Sequence, residues 1–142
     1  MEREFDLERF ITAQSDHFDR ALREIKNGRK TSHWMWFIFP QYKNLGRSPK
    51  SVHYAINSKA EAVGYLNHPL LGARLKEISE AFLLIEDKSA RDILGSPDDL
   101  KIKSSMTLFD AVQGDTDLFE RVLEKYFKGK KCGRTLGLLN GK

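Results

Sequence analysis

Six consecutive apolar residues, Trp34-Met-Trp-Phe-Ile-Phe39, carry two tryptophans and two phenylalanines and end at Pro40. A run this short cannot cross a membrane, which takes about 20 apolar residues. The residue before a proline disfavours helical geometry, so the run predicts one short helix that stops ahead of Pro40, capped by Thr31 or Ser32. On that helix Trp34 and Ile38 share a face, while His33, Trp36 and Phe37 point elsewhere. Each large aromatic buries about 150–250 Å². Aromatics on every side must therefore be enclosed by the rest of the chain, either as a plug at its centre or as the wall of a pocket.

The surrounding elements read as helices. Leu7, Phe10, Ile11, Phe18, Ala21, Leu22 and Ile25 follow a 3.6-residue period, with Asp6 as N-cap and Gly28 as stop. Ser48-Pro49 resembles a helix start, and Ser58-Lys-Ala-Glu61 has the capping-box pattern of a helix running to about Asn67. His68-Pro69 then restarts the chain into a central helix that buries Leu71, Leu75, Ile78, Phe82 and Ile85. Ser89 caps a short turn ending near Gly95. Ser96-Pro97-Asp98-Asp99 opens a helix that ends near Gly114, and Asp115-Thr-Asp117 opens another that stops at Gly129. A last segment, Thr135 to Leu139, docks its leucines on the core. No long period-2 alternation, repeat or linker interrupts this pattern. The expectation is an all-α, compact single-domain helical bundle spanning residues 1–142, with about six to eight helices, several of them short.

Composition narrows the setting. The charged start Met1-Glu-Arg-Glu-Phe-Asp is no secretory signal, and the lone Cys132 cannot build a disulfide framework or a cysteine zinc site. A soluble, cytoplasmic protein with no membrane partner is expected.

Charge is more informative by position than in total. Between Glu24 and Glu61 there are seven cations (Lys26, Arg29, Lys30, Lys43, Arg47, Lys50, Lys59) and no acid; after Glu124 there are six more and again no acid. The rest of the chain holds 11 cations against 20 acids. Such segregation implies an anion-attracting region on an acidic body, provided the two stretches meet in space; otherwise they are two solvated faces.

The aromatic run lies in the first of these stretches, and the residues around it make the candidate ligand site. Trp34, Trp36 and Phe39 would supply apolar or stacking walls. Gln14, on the apolar stripe between Ile11 and Phe18, needs a hydrogen-bond partner, whether a ligand or a loop backbone. His33 and Gln41 bracket the run and reach one ligand if Pro40 turns the chain back, although a histidine beside aromatics is more often structural. Lys30, Arg47, Lys103 and Ser104 would meet an anion. Arg47 and Lys50 flank the helix start at Ser48-Pro49, but the glycine spacings of a P-loop or dinucleotide fold are absent.

Catalytic sets are not evident. His17, His33, His53 and His68 lack HExxH spacing, no GxSxG elbow occurs, and Cys132 has lysine neighbours that would lower its pKa but no identifiable base. No cofactor or metal is expected. The leading expectation is a domain that binds a small anionic, nucleotide-like metabolite. Two alternatives stand beside it: a single-stranded nucleic-acid-binding module, and a structural or protein-interaction domain with no ligand.

Ser32-His-Trp-Met-Trp-Phe-Ile-Phe-Pro-Gln41, His68-Pro-Leu-Leu-Gly-Ala-Arg-Leu75 and Lys103-Ser-Ser-Met-Thr-Leu-Phe109 together resemble a bacterial and fungal domain-of-unknown-function family. Its members are often auto-labelled "calpastatin". The resemblance covers about Phe5 to Leu139 and implies a mainly helical single domain, but no activity, substrate or catalytic residue. Near Cys132-Gly133 it implies an acidic residue in many relatives, which this chain lacks. The "calpastatin" label fits poorly, because calpastatin is a disordered, repetitive inhibitor and this chain has a core and no repeats.

Overall fold

Local start signals account for several of the helices. Our computed structural model describes residues 6–113 and 116–140. Ser58 caps α5 (Lys59–Asn67) by accepting from the Glu61 amide, and Ser48 caps α4 (Pro49–His53) in the same way. Ser89 and Asp92 form a reciprocal capping box at α7 (Ala90–Leu94). His68 stops α5 and then accepts from the amides of Leu70 and Leu71 through Nδ1, which helps to start α6 (Leu71–Leu84).

There are ten helices among the described residues, more than the expected six to eight, and no strand. The first apolar stripe is two helices rather than one, α1 (Glu8–Ser15) and α2 (Phe18–Lys26). The His17 ring takes the Ala13 carbonyl that the next helical amide would have used, and the His17 amide bonds Gln14 instead. The aromatic run forms only α3 (Met35–Ile38). Neither Thr31 nor Ser32 caps it; both turn back to the Glu24 carboxylate. α8 (Asp98–Val112) starts with Pro97 at its N-cap and no bond from Ser96. α9 (Leu118–Phe127) and α10 (Gly133–Leu139) follow. Gly114 and Asp115, read as stop and start signals, lie outside the described residues, as do Met1–Phe5 and Lys142.

α6 was expected to be central, and it shares that place with α8. α6 packs on α2, α5 and α9, while α8 packs on α3, α5, α7, α9 and α10. One hydrophobic cluster runs from Phe10 to Leu139, with Trp34, Phe39, Tyr65, Phe82, Phe109 and Phe119 fully buried. Gly72 permits the close approach at the start of α6, since a Cβ there would lie 2.0 Å from the Leu66 carbonyl oxygen. Backbone bonds from Lys43 to Ile56 and from Ile56 to Gln41 pin the segment carrying α4 beside the aromatic run. No described helix is long and apolar enough to cross a membrane.

Candidate functional site

The site is organised by a buried carboxylate that the aromatic motif does not contain. Glu24, on the last turns of α2, accepts from the Trp34 indole at 2.9 Å, the Ser32 hydroxyl at 2.6 Å and the Thr31 and Ser32 amides at 2.8 and 3.1 Å. Burial acts to raise its pKa, but hydrogen bonds from Ser32, Thr31 and Trp34 outweigh it and hold the carboxyl down at about 2. The loop is thus folded around a charge. It sends the Trp34 ring into the core, at 1% exposure, and leaves His33 exposed, while Lys30 turns toward the start of α8.

The Lys30 amide bonds the Ile93 carbonyl and so ties this loop to the end of α7, just ahead of α8. Asp98, the first residue of α8, then meets two lysines: Lys30 Nζ at 2.9 Å from one oxygen and Lys101 Nζ at 3.1 Å from the other. The Lys30 and Asp98 side chains are 9% and 17% exposed, so that pair is largely withdrawn from water. Lys101 also stands 3.8 Å from the centroid of the half-buried Trp36 ring, within cation–π range. Lys30, His33, Trp36, Lys50, Asp98 and Lys101, together with Trp34 and Met35, line a cavity of about 130 Å³.

Four of the ten candidate ligand residues therefore converge, Lys30, His33, Trp34 and Trp36, and Lys50, which flanks the helix start at Ser48-Pro49, joins them. The others lie elsewhere. Gln14 is buried and donates to the Phe37 carbonyl at 2.7 Å and to the Tyr65 hydroxyl at 2.9 Å, while its own oxygen accepts from Arg74. The partner it required is thus largely backbone and core. Phe39 is fully buried. Gln41 faces a separate crevice of about 10 Å³ behind Trp36. Arg47 is exposed in the loop before α4. Lys103 lies 5.8 Å from the Phe127 ring, and Ser104 bonds Cys132 Sγ and the Leu100 carbonyl.

Three contributors escaped sequence reasoning: Glu24, Asp98 and Lys101. The i,i+3 spacing of Asp98 and Lys101 on one helix was a usable signal for their pairing. Glu24 carried a subtler one. The two acids that bound the cation-rich stretch, Glu24 and Glu61, are both buried, and Glu61 is paired with Arg9 at 2.9 Å. Neither offers a negative charge at the surface.

A wider open groove, about 530 Å³, runs past Arg9, His53, Asn57 and Glu61. Among the described residues its one arginine, Arg9, is already engaged by Glu61 and by the carbonyls of Asp6, His53 and Ala55. The described residues of this groove offer a ligand little unpaired positive charge despite its size. Among the described residues no group of three or more His, Cys, Asp or Glu side chains is placed to hold a metal ion.

No curated protein matches the chain. The crystal structure of the conserved hypothetical protein Rv1873 from Mycobacterium tuberculosis is similar, at 44% identity and a TM-score of 0.96, covering 99% of this chain and 100% of that one. A family model described as protein of unknown function (DUF1810) matches residues 4–139, a span that holds the Glu24 clamp, the aromatic run and the Asp98 cluster alike. The chain belongs to the DUF1810 family of proteins of unknown function.

Proposed function

We propose that this domain binds a small anionic metabolite, nucleotides and their relatives first among them, in the cavity between the Lys30–Trp36 segment and the start of α8. The observation that carries the reading is the pairing of Lys30 and Lys101 on the one Asp98 carboxylate beside the half-buried Trp36 ring. Two ammonium groups held in place have already given up the conformational freedom that free surface lysines would lose on meeting an anion. Lys50 and His33 add polar groups at the same cavity. Of the three proposed aromatic walls, Trp36 is the one with substantial exposed surface.

A thermal-shift screen over nucleotides, ADP-ribose-like compounds, sugar phosphates, coenzymes and dicarboxylates tests this. Stabilisation by at least one anion at millimolar concentration, lost in Lys101→Gln, is expected. No stabilisation by any of them counts against the reading.

A second reading, binding of single-stranded nucleic acid, draws on one separate observation. Arg134 donates to the Asn44 carbonyl, so the two acid-free stretches touch. This reading expects affinity that falls by orders of magnitude as salt rises. Absent or salt-insensitive binding to single-stranded DNA and RNA removes it.

A further inference from the structure

We infer that the cavity takes a phosphomonoester by its phosphoryl group alone and leaves the remainder of the ligand in solvent. The inference rests on the metabolite-binding reading above and narrows its ligand class.

Volume comes first. Pockets that enclose a drug-sized ligand run to about 300–1,000 Å³, whereas this one has about 130 Å³. At about 10–15 Å³ needed per water on that measure, the cavity has room for a polar group of several heavy atoms but falls short of enclosing a whole nucleotide. A phosphoryl group fits inside; a nucleoside attached to it is not enclosed.

Among the described residues, the surfaces beside Trp34 and Trp36 offer no second compartment for a base. Trp34 is sealed, and the Lys101 ammonium already lies over the Trp36 ring at 3.8 Å. A base cannot stack on that part of the ring while Lys101 stays there. Behind Trp36, the crevice that holds Gln41 measures about 10 Å³, the threshold for one water. Ribose and base must therefore project outward.

Charge completes the argument. Three lysines against the Asp98 carboxylate leave the cavity with two formal positive charges, His33 counted neutral. A phosphomonoester carries about −1.5 to −2 at pH 7. Lysine ammonium groups meet such a ligand as point charges, each with several rotatable donors, which suits the distributed oxygens of a phosphoryl group. Asp98 would then align Lys30 and Lys101 while keeping the site from exceeding the ligand's charge.

The test is calorimetric titration at fixed ionic strength with inorganic phosphate, ribose 5-phosphate, adenosine 5′-monophosphate and adenosine. The three phosphates are expected to bind within about threefold of one another and adenosine not at all. Lys101→Gln should weaken all three at least tenfold, and Lys50→Gln, which changes an exposed side chain, should weaken them too. Both variants should keep the wild-type circular dichroism; Lys50→Gln should also keep the melting temperature, and Lys101→Gln, which gives up its Asp98 and Trp36 contacts, should melt only about 2–4 °C lower. Lys103→Gln, on the Phe127 side of α8, should bind as wild type. Adenosine binding, or the mononucleotide binding more than tenfold tighter than ribose 5-phosphate, overturns phosphoryl-only recognition and leaves the metabolite reading standing. So does stabilisation by a non-phosphate anion when none of the phosphates binds. Unchanged affinity in a folded Lys101→Gln protein overturns the placement. Failure of every anion in the wider screen overturns both readings together.

Discussion

Arg134 Nη2 donates to the carbonyl oxygen of Asn44 at 3.0 Å, across 90 residues of chain. The contact joins the loop bearing Lys43 and Arg47 to the helix that ends the described chain. It brings together the two stretches of sequence that contain no acid. Among the described residues, Lys43, Arg47, Lys50 and Arg134 have no carboxylate at ion-pair distance. With Glu24 and Glu61 buried, the positive potential of this region is set by cations with little local opposition.

Glu24 makes stability acid-sensitive in a defined window. Its folded pKa, about 2, lies below its unfolded value of 4.5. The group therefore stabilises the fold fully above the unfolded pKa, and that contribution is lost as pH falls through the folded one. The depression corresponds to roughly 3 kcal/mol. Denaturant titrations at pH 6, 4 and 3 should show stability falling, and Glu24→Gln should be less stable at pH 6 with a shallower decline. Equal pH slopes in the two proteins would contradict the carboxylate's role as the clamp on Trp34.

Helix starts were readable because they are local: Ser58 and Ser89 accept from amides three residues on. The division of the aromatic run into inner and outer rings was not. Trp34 is drawn inward by a carboxylate ten residues earlier, and Trp36 meets a lysine from a helix that begins after residue 97. Gln14 could be recognised as needing a partner, but Phe37 and Tyr65, 23 and 51 residues away, could not be named. Hydrophobic period reports which face is buried. It does not report which distant polar group satisfies a particular donor, and the candidate site depends on such pairings.

Gly72 is fixed by space rather than by backbone conformation. An added Cβ would sit 2.0 Å from the Leu66 oxygen, a backbone atom with no rotamer to adopt. Gly72→Ala must push α6 away from the end of α5, and a cost of about 1–3 kcal/mol or more is expected. Thermal denaturation measures it, with Gly137→Ala as control, because a Cβ at Gly137 meets nothing within 4 Å.

Cys132 should react faster than an ordinary thiol at neutral pH. Partial burial pushes its pKa up, but the Ser104 hydroxyl and the amides at the start of α10 pull it further down, leaving it below the usual thiol value. Alkylation by iodoacetamide followed from pH 6 to 9 should give an inflection that moves upward in Ser104→Ala. Coincident profiles would mean that Ser104 does not stabilise the thiolate.

The two tryptophans separate core from site. Trp34 is 1% exposed and donates its indole proton to Glu24, so Trp34→Ala both opens a cavity and strands a buried carboxylate. A loss of about 3–5 kcal/mol is expected. Trp36 is half-buried and holds no hydrogen bond of that kind, so Trp36→Ala should cost distinctly less by denaturant titration. Its effect should instead fall on the cavity, where the ring supports Lys101 from 3.8 Å. Without the ring the ammonium loses a preferred position, and phosphate affinity should drop while the fold persists. A Trp36→Ala protein as destabilised as Trp34→Ala would make both rings structural, and the cavity beside them incidental.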